Sequence, residues 1–259
     1  MSRTDRWTAQ PWQLLSGEPA SPAMNLALDE ELTLRVGAGQ RPPTLRIWSW
    51  SAGCIVIGRF QSVRNEVQEE NARRLGVEIV RRISGGGAMF IEPEGAITYS
   101  LYVPAEMAAG MSFAESYGFF DSWVISALRS LGIDAWYAPL NDITSANGKI
   151  GGAAQARRGG AILHHTTMAY QMNIPAMLEV LRIGQEKLSD KGIRSADKRV
   201  APLAQQTNLP RQAIIDHLIA EFGAMTDLRE GTLTDLERVG AEKRVRERFA
   251  TDAWRYILP

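Results

Sequence analysis

One lysine stands in a glycine-rich stretch near the middle of the chain. Lys149 is preceded by Gly148 and followed by the pairs Gly151–Gly152 and Gly159–Gly160. Glycines allow a backbone to approach a ligand closely and to point its N–H groups at that ligand. A lysine there is a mobile point charge suited to a phosphate or a carboxylate. The stretch therefore predicts a glycine-rich anion-binding loop, and a glycine-rich hairpin with a solvated lysine is the alternative.

A second glycine cluster, RRISGGGAMF at residues 81–90, favours the binding interpretation. Arg81 and Arg82 precede three consecutive glycines, Gly85–Gly87. Glycines have no side chain to pack and lose entropy when they are ordered, so a ligand-binding loop explains them better than a tight turn. An arginine at a strand end can bind a phosphate through two N–H groups. Because adjacent strand residues point to opposite faces, we expect at most one of the two arginines to face the site.

Other polar residues have structural alternatives. Asp142, which follows Asn141, could orient the lysine, contact a nucleotide or help hold Mg²⁺, or it could form an Asx turn. His164 and His165 are adjacent in a predicted strand and face opposite ways, which favours a hydrogen-bonded structural role for both. Cys54 is the one cysteine and lies in an apolar segment, which is typical of a buried small hydrophobe.

The composition is that of a globular protein. The chain has 259 residues, of which 45% are hydrophobic and 22% charged. The 29 basic and 29 acidic residues balance, so we expect neither a nucleic-acid partner nor a membrane partner. No apolar run spans a bilayer, and the N-terminus lacks the apolar segment of a signal peptide. A single cysteine suits a reducing compartment, so we expect a cytoplasmic protein.

The predicted helices and strands do not alternate regularly. Helices are predicted at 22–37, 66–75, 113–131, 176–186, 210–223 and 234–250, and strands at 44–48, 54–57, 77–82, 96–103, 133–137 and 161–172. Ser112 and Glu115 form a capping box that opens the clearest helix, with an apolar face formed by Phe113, Tyr117, Phe120, Trp123, Ala127 and Leu131. The basic run KRVRER at 243–248 is interpreted as a solvated helix face. This order predicts an α+β fold with mixed or mostly antiparallel sheets and flanking helices.

Ordered motifs along most of the chain resemble the lipoate–protein ligase family, within the wider group of biotin/lipoate ligases and octanoyltransferases. The matching segments are MNLALDE at 24–30, VIGRFQ at 56–61, RRISGGGAMF at 81–90, NDI and GKIGGAAQ within 141–155, LHHTTMAYQMN at 163–173 and KGIRSADKRVAPL at 191–203. Thr166 stands where the family usually has glycine. The resemblance implies a class II synthetase/biotin ligase-like catalytic domain over 1–259. Its core motifs would lie at 24–203 and a helical part at about 204–259, with no accessory domain.

The resemblance also implies a two-step reaction. ATP and Mg²⁺ would activate lipoate, or octanoate, to an acyl-AMP, and the acyl group would pass to a lysine of an apo lipoyl-carrier domain. Such domains occur on the acyltransferase subunit of 2-oxo acid dehydrogenases and on the glycine cleavage carrier. Lys149 would be catalytic, and Asp142 would be a weak Mg²⁺ contact through ATP. The implied binding residues are Arg82, Ser84, Gly85, Gly86, Gly87, Ala88, Met89, Phe90, Asn141, Asp142, Gly151, Gly152, Ala153 and His165.

Several alternatives stay open at this stage. An ATP-independent octanoyl- or lipoyltransferase would carry a nucleophilic cysteine beside the lysine, and residues 137–149 (YAPLNDITSANGK) contain none. A binding protein that is inactive without an accessory chain is a further possibility, since some short ligases of this family need a separate accessory chain. A biotin ligase is disfavoured because its GRGRxxR-type loop is missing.

Overall fold

Two β-sheets position the candidate residues in the computed structural model, which describes residues 3–182 and 200–258. The strands are β1 (Trp12–Leu15), β2 (Thr44–Trp48), β3 (Cys54–Ile57), β4 (Glu78–Arg81), β5 (Met89–Ile91), β6 (Ala96–Pro104), β7 (Ala135–Ala138), β8 (Asp142–Ser145), β9 (Gly148–Arg158), β10 (Ala161–Ala169) and β11 (Leu228–Glu230). The helices are α1 (Arg3–Thr8), α2 (Pro22–Gly37), α3 (Val63–Glu66), α4 (Glu69–Arg74), α5 (Phe113–Ser130), α6 (Ile174–Val180), α7 (Arg211–Met225), α8 (Asp235–Arg244) and α9 (Asp252–Arg255).

The larger sheet has the strand order β11-β1-β2-β6-β10-β9-β8-β7. Strands β11, β1 and β2 pair in parallel, and the remaining neighbours pair antiparallel. Strand β10 lies in the interior, where His165 is in register with Ser100 of β6 and Ala154 of β9. This arrangement confirms the predicted α+β class with mixed, mostly antiparallel sheets.

The smaller sheet has the order β4-β3-β5 and carries the first glycine cluster. Strand β3 pairs in parallel with β4 and antiparallel with β5. Because β4 ends at Arg81 and β5 begins at Met89, the intervening residues 82–88 form the connection between the two outer strands. We call these residues the glycine loop.

Helix α5 confirms the predicted capping box and most of the predicted apolar face. Ser112 Oγ accepts a hydrogen bond from the Glu115 N–H, and the Glu115 carboxylate accepts one from the Ser112 N–H at 2.8 Å. Phe120, Trp123 and Ala127 are buried against the larger sheet. The prediction is wrong for Phe113, which is 59% exposed because it opens the helix, and the Arg157 guanidinium covers its ring at 4.1 Å.

Several predicted boundaries differ from the structure. The predicted helix at 66–75 is two helices, interrupted where Val67 bridges Leu181. The predicted strand at 161–172 ends at Ala169 because the next two N–H groups donate to the Gly95 carbonyl. The predicted helix at 176–186 spans Ile174–Val180, and its last residues lie outside the described part of the chain. The motif at 191–203 also lies mostly outside it. Strands β1, β5, β8, β9 and β11 and helices α1 and α9 are not among the predicted elements.

The basic C-terminal run is not simply a solvated face. Arg244 and Arg248 both pair with Glu30 of α2, which is 1% exposed, and Arg244 also contacts Glu31 at 2.8 Å. These ion pairs hold the C-terminal helices on α2, because a buried carboxylate requires a compensating charge. No helix in the described ranges has both the length and the apolar character needed to cross a bilayer.

A buried ion pair between Arg41 and Glu237 gives a test of how the C-terminal part is attached. The atoms Arg41 Nε and Glu237 Oε1 are 2.7 Å apart, and both side chains are 4% exposed. We expect Glu237→Gln to lower the free energy of unfolding by about 3 kcal/mol, because it leaves a buried guanidinium without its counter-charge. The control is Glu247→Gln, since Glu247 is 64% exposed and pairs only loosely with Lys243. Equal urea midpoints for the two variants would contradict a stabilising role for the buried Arg41–Glu237 ion pair.

Candidate functional site

Lys149 lies in a strand and not in the predicted loop. It is the second residue of β9, and its Nζ is 2.7 Å from Oδ1 of Asp142, the first residue of β8. In the antiparallel pair of β8 and β9, Asp142 is in register with Gly152 of β9, the strand that also carries Lys149. Of the roles considered for Asp142, the structure supports orientation of the lysine. The ammonium and the carboxylate are partly exposed, so both groups remain accessible to a ligand.

The glycines after Lys149 make room for neighbouring atoms. A Cβ on Gly151 would lie 2.6 Å from the Thr167 carbonyl oxygen of β10, closer than atoms can approach. A Cβ on Gly152 would lie 3.2 Å from the Lys149 Nζ, which folds back over the strand. Gly151 therefore permits the close pairing of β9 with β10, and Gly152 leaves space for the lysine side chain.

Arg82 shapes the glycine loop. Its guanidinium donates to the Gly85 carbonyl at 2.7 Å and to the Gly87 carbonyl at 2.9 Å, while the side chain is 3% exposed. Gly86 between them has φ +91°, in the left-handed region that favours glycine. Burial lowers the pKa of Arg82 to about 10, which leaves it charged at neutral pH. Its predicted phosphate contact stays a prediction.

Arg81 faces the opposite way and has a structural role. It is fully buried, and its guanidinium donates to backbone carbonyls of two separate segments, namely Gly58, Arg59 and Gln61 after β3 and Trp254 and Arg255 of the C-terminal helix. The prediction that at most one arginine of the pair faces the site is confirmed. The other arginine joins the end of β4 to both segments.

A chain of side-chain hydrogen bonds links the glycine loop to α2 through β10. Ser84 Oγ is 2.6 Å from His165 Nε2, and His165 Nδ1 is 2.7 Å from Asp29 Oδ2. Asp29 Oδ1 also accepts from Ser100 and Tyr102. Burial, together with the nearby charge of Arg82, lowers the pKa of His165 and outweighs the opposite effect of Asp29, so the imidazole is neutral at pH 7. It therefore donates Nδ1–H to Asp29 and accepts from Ser84 at Nε2.

Asp29 remains ionised despite its burial. Burial opposes its ionisation, but the interactions with His165, Arg46 and Tyr102 together outweigh burial and lower the pKa of Asp29. The hydrogen bonds it accepts favour the charged form in the same way. The strand β10 is thus joined to α2 by a charge-assisted hydrogen bond.

His164 lies on the other face of β10, as the strand alternation predicts. Its Nε2 is 2.8 Å from Oδ1 of Asp121 in α5, and its Nδ1 contacts Gln155 at 3.0 Å. The side chain is fully buried. The structural role expected for both histidines therefore describes His164 completely. His165 in addition lines a cavity.

Two adjoining cavities meet at Lys149. The first has a volume of about 100 Å³, and the second has a volume of about 210 Å³. Of the predicted site residues, the first cavity is lined by Arg82, Gly86, Gly87, Ala88, Met89, Asn141, Lys149, Gly152, Ala153 and His165. The second is lined by Ala88, Met89, Phe90, Lys149, Gly151 and Gly152. Ser84, Gly85 and Asp142 line neither, and instead they hold His165, Arg82 and Lys149 respectively.

Some lining residues were not predicted. The first cavity has an apolar wall formed by Leu26, Trp48, Trp50 and Val56, and the second has one formed by Ile91, Ile150, Met168, Met172 and Met177. Trp48 and Trp50 are two residues apart, which places both on one face of an extended segment. Their rings are 4.7 Å apart. That spacing was a usable signal, whereas the methionines come from separate segments that only the fold brings together.

Cys54 is completely buried in β3, as predicted. Burial raises the pKa of its thiol well above the usual value, with a smaller contribution from Glu78. A thiol that stays protonated is a poor nucleophile, because the thiolate is the reactive species.

Metal ligands are sparse around the site. No group of three or more His, Cys, Asp or Glu side chains able to hold a metal ion occurs within residues 3–182 and 200–258. Asp142 is already in an ion pair with Lys149. The predicted contact between Asp142 and Mg²⁺ stays a prediction, and any such ion would depend on oxygens of a ligand.

Comparison with known proteins identifies related catalytic domains. The family described as "Lipoyl protein ligase A/B catalytic domain" matches residues 21–223. The octanoyltransferase LipM of Brevibacillus brevis is 27% identical over 277 residues, covering 95% of this chain and 98% of the relative. Lipoate-protein ligase A subunit 1 of Thermoplasma acidophilum is 28% identical over 253 residues, covering 93% and 94%.

Solved structures share the whole fold. A chain from a bi-partite lipoate protein ligase of Thermoplasma acidophilum, studied with its E2 lipoyl domain, has a TM-score of 0.85 at 29% identity and covers 96% of this chain and 97% of its own. A lipoate-protein ligase A bound with ATP has a TM-score of 0.82 at 26% identity, covering 95% and 98%. The fold expected from the resemblance is confirmed. The name octanoyltransferase recurs among the relatives, which favours the transferase alternative over the ATP-dependent ligase.

The glycine loop provides a matched pair of substitutions. Gly86→Ala would force a side chain into the left-handed region and place its Cβ 2.8 Å from Arg82 Nη2. We expect a loss of about 1–3 kcal/mol in the free energy of unfolding. Gly87→Ala meets no atom within 4 Å and should change stability little. Thermal unfolding of both variants is the measurement, and equal midpoints would show that the left-handed turn is not required.

Proposed function

The chain belongs to the lipoyl protein ligase A/B catalytic domain family, and on this basis we propose that it forms an amide between a lipoyl or octanoyl group and a lysine of a lipoyl-carrier domain. The observation that carries the proposal is the position of Lys149, whose side chain lines both cavities at their junction. A cation at that point can contact an acyl group in one cavity and a leaving group in the other.

The first cavity suits the acyl chain. Its apolar wall includes Leu26, Trp48, Trp50 and Val56. Apolar surface of an acyl chain that is buried against this wall would contribute about 25 cal/mol per Å² to the free energy of binding. Its polar lining includes the buried cation Arg82, whose charge suits a carboxylate. We assign the medium-length acyl chain to this cavity, along the glycine loop.

The second cavity suits a nucleoside. It is larger, and Phe90, Ile91 and Met168 give it apolar walls that can sandwich a flat base. Strand β5 along it is an edge strand of the smaller sheet, so backbone groups on its outer side are available to the edge of a base. We assign the adenosine part of an acyl-adenylate to this cavity.

Lys149 then acts electrostatically in two steps. When an acyl carboxylate attacks the α-phosphorus of ATP, the bond to pyrophosphate breaks and an acyl-adenylate forms; negative charge grows on the phosphoryl oxygens, and the ammonium stabilises it. When the acceptor amine attacks the acyl carbon, charge grows on the carbonyl oxygen, and the same ammonium stabilises that charge. The amine then loses a proton, AMP leaves, and the amide remains. Asp142 holds the ammonium in place at 2.7 Å. Magnesium would enter with ATP, held mainly by phosphate oxygens, with Asp142 as the nearest proposed carboxylate.

The nature of the acyl donor separates two versions of this function. An adenylate route is supported by the second cavity and by the similarity to a bi-partite lipoate ligase and to a ligase bound with ATP. It is also supported by the chemistry of Cys54, the one cysteine, which is buried and has a raised pKa. A covalent thioester mechanism requires an accessible thiolate. We therefore favour acyl-adenylate as the donor.

The second candidate is an octanoyltransferase that takes the acyl group from a carrier thioester. The names of the relatives favour this version. In this chain it would have to proceed by direct attack of the acceptor lysine on the thioester, with Lys149 stabilising the oxyanion. The first cavity and Lys149 would serve both versions, whereas the second cavity would be needed only for the adenylate.

The acceptor and a helper chain are proposed from the relatives. The bi-partite Thermoplasma ligase was studied with an E2 lipoyl domain, so we propose a lipoyl domain of a 2-oxo acid dehydrogenase complex or a similar carrier as the acceptor. By the same similarity, we propose that a second ligase chain assists this one. Its contribution should be larger in adenylate formation than in transfer, because adenylate formation requires the pocket to order around ATP and acid together.

Lys149→Ala tests the central residue. We expect acyl transfer to an apo lipoyl domain to fall by ~10²–10³, since one preorganised charge is lost, while the thermal unfolding midpoint is retained because the side chain is half exposed. The measurement is the mass of the lipoyl domain over time. Lys243→Ala is the control, because Lys243 is 65% exposed on α8. Turnover of the Lys149 variant at the wild-type rate would remove Lys149 from the mechanism.

Cys54→Ala tests the donor. We expect it to transfer the acyl group as fast as the unmodified protein, because the thiol is buried and protonated. The assay has one arm with lipoate, ATP and Mg²⁺ and another with an octanoyl-carrier thioester and no ATP, each with and without a candidate helper chain. Product in the first arm alone supports the ligase. Product in the second arm supports the transferase, and an acyl adduct on Cys54 in the mass spectrum would overturn the argument about the thiol.

A further inference from the structure

We propose that the C-terminal segment Thr251–Arg255 is a brace that positions the glycine loop for acyl binding, with Trp254 and Arg81 as its positioning residues. This inference rests on the proposed function for the identity of the ligand. The segment lies beyond residue 223, where the family match ends. None of its residues lines the two cavities that meet at Lys149.

The brace begins at the C-terminal end of α9. The last carbonyls of a helix have no partner within that helix. Among the described residues, the Arg255 carbonyl accepts no backbone hydrogen bond, and the Trp254 carbonyl accepts a long one from the Ile257 N–H at 3.4 Å. Arg81 fills both positions, with Nε 3.0 Å from the Trp254 oxygen and Nη2 2.6 Å from the Arg255 oxygen. In return, the Trp254 indole N–H donates to the Arg81 carbonyl at 2.9 Å. The contact is reciprocal and involves both the backbone and the side chain of Arg81.

The same guanidinium reaches the turn that supports the loop. Arg81 Nη1 donates to the carbonyls of Gly58 at 2.9 Å and Gln61 at 2.6 Å. The guanidinium is fully buried and has no carboxylate partner among the described residues. Its charge is compensated by carbonyl dipoles alone, so loss of the C-terminal carbonyls would leave a buried cation poorly satisfied.

The turn at residues 58–61 contacts the glycine loop directly. The Arg59 N–H donates to the Ser84 carbonyl at 2.8 Å. A Cβ on Gly58 would lie 2.1 Å from the Gly86 carbonyl oxygen, so the two backbones are in direct contact there. Gly86 lines the first cavity. A continuous series of contacts therefore runs from Trp254 through Arg81 and the turn to the wall of the proposed acyl site.

The ring of Trp254 adds a second connection. Trp254 is 7% exposed, and the Arg59 guanidinium lies 4.5 Å from the centroid of its ring. Arg59 is also the residue whose backbone N–H donates to Ser84 of the glycine loop. The Arg248 guanidinium lies 4.9 Å from the same ring. Cation–π contacts of this kind, partly removed from solvent, favour a fixed position of the arginine. Trp254 thus contacts the turn at residues 58–61 directly through Arg59 and indirectly through Arg81.

Phe249 provides a matched control. It lies two residues before the Thr251–Arg255 segment and is 2% exposed, and its ring centroid is 5.9 Å from that of Trp254. A phenylalanine side chain can form no hydrogen bond to the end of β4. Removal of either aromatic side chain should lower the stability of the protein, but only removal of the Trp254 indole also removes the hydrogen bond to the Arg81 carbonyl and the ring contact with Arg59.

The experiment compares Trp254→Ala, Trp254→Phe and Phe249→Ala in the full chain, well below their unfolding temperatures. Amide hydrogen exchange of residues 82–88 is measured first, without ligand, and then the affinity for octanoate and, separately, for a non-hydrolysable octanoyl-adenylate analogue. We expect Trp254→Ala to raise exchange in the glycine loop and to weaken octanoate binding by about tenfold, whereas Phe249→Ala changes neither. Trp254→Phe should fall between, because it keeps an aromatic ring for the Arg59 and Arg248 contacts but loses the indole N–H that donates to the Arg81 carbonyl.

Each outcome decides the proposal. Faster loop exchange in both alanine variants to the same degree would mean that the segment contributes only general stability and would overturn the brace. Unchanged exchange in Trp254→Ala would overturn it as well. If Trp254→Ala is too unstable to purify, Trp254→Phe against Phe249→Leu makes the same comparison. The exchange result does not depend on the ligand. Failure of both octanoate and the octanoyl-adenylate analogue to bind the unmodified protein would therefore count against the proposed acyl-adenylate route, while the exchange data would still test the brace.

Discussion

The hydrogen bond from His165 to Asp29 is the interaction on which the rest of the site depends. It joins an interior strand of the larger sheet to α2, and the second nitrogen of the same imidazole fixes Ser84 at the start of the glycine loop. Asp29 is buried and ionised, so it requires these donors and cannot be satisfied by solvent. One neutral histidine therefore sets the relative positions of a helix, a sheet and a flexible loop. The adjacent residue, His164, joins the opposite face of the strand to α5 through a hydrogen bond to Asp121.

Arginine side chains fix the conformation of the glycine loop, as packed apolar side chains do elsewhere in the fold. Glycines have no side chain by which the core can hold them, and Arg82 instead binds the loop carbonyls from inside. Arg81 binds the adjacent turn and the C-terminal helix from the other side. The two residues are neighbours in the sequence and point opposite ways because they lie at the end of an extended strand. Arg82 and the loop residues Gly86 and Gly87 together line the first cavity, so the bonds that fix the shape of the loop lie beside the proposed acyl site.

The order of local patterns allowed the fold class to be predicted, and the glycine clusters pointed to Lys149 and to the arginines before Gly85, whereas most of the binding residues followed from the family resemblance. The capping box at Ser112 and Glu115, the alternation that separates His164 from His165 and the buried position of Cys54 all follow from nearest-neighbour chemistry, and the structure confirms them. The assignment of most binding residues to a ligand remains a prediction. What the structure adds for them is that ten line one cavity and that three others support that cavity from outside.

Other features depended on partners distant in the sequence. The glycines around Lys149 were interpreted as a loop, but the pairing of β9 with β10 makes them a strand, and Gly151 is needed for close contact with Thr167. Arg244 and Arg248 were interpreted as solvated because nothing nearby in the sequence reveals that Glu30 is buried beneath them. The contact of Trp254 with Arg81 joins residues 173 positions apart. Local spacing carries no information about such pairs.

The central claim is that Lys149 acts at the junction between an acyl cavity and a nucleoside cavity. A crystal structure with a non-hydrolysable octanoyl-adenylate analogue tests it most directly. The account predicts the octanoyl chain between the glycine loop and the wall of Trp48 and Trp50, the adenine beside β5, and the Lys149 ammonium within hydrogen-bond distance of both the carbonyl oxygen and the bridging group. An analogue with its acyl chain in the cavity beside β5, or a lysine that contacts neither group, would contradict it.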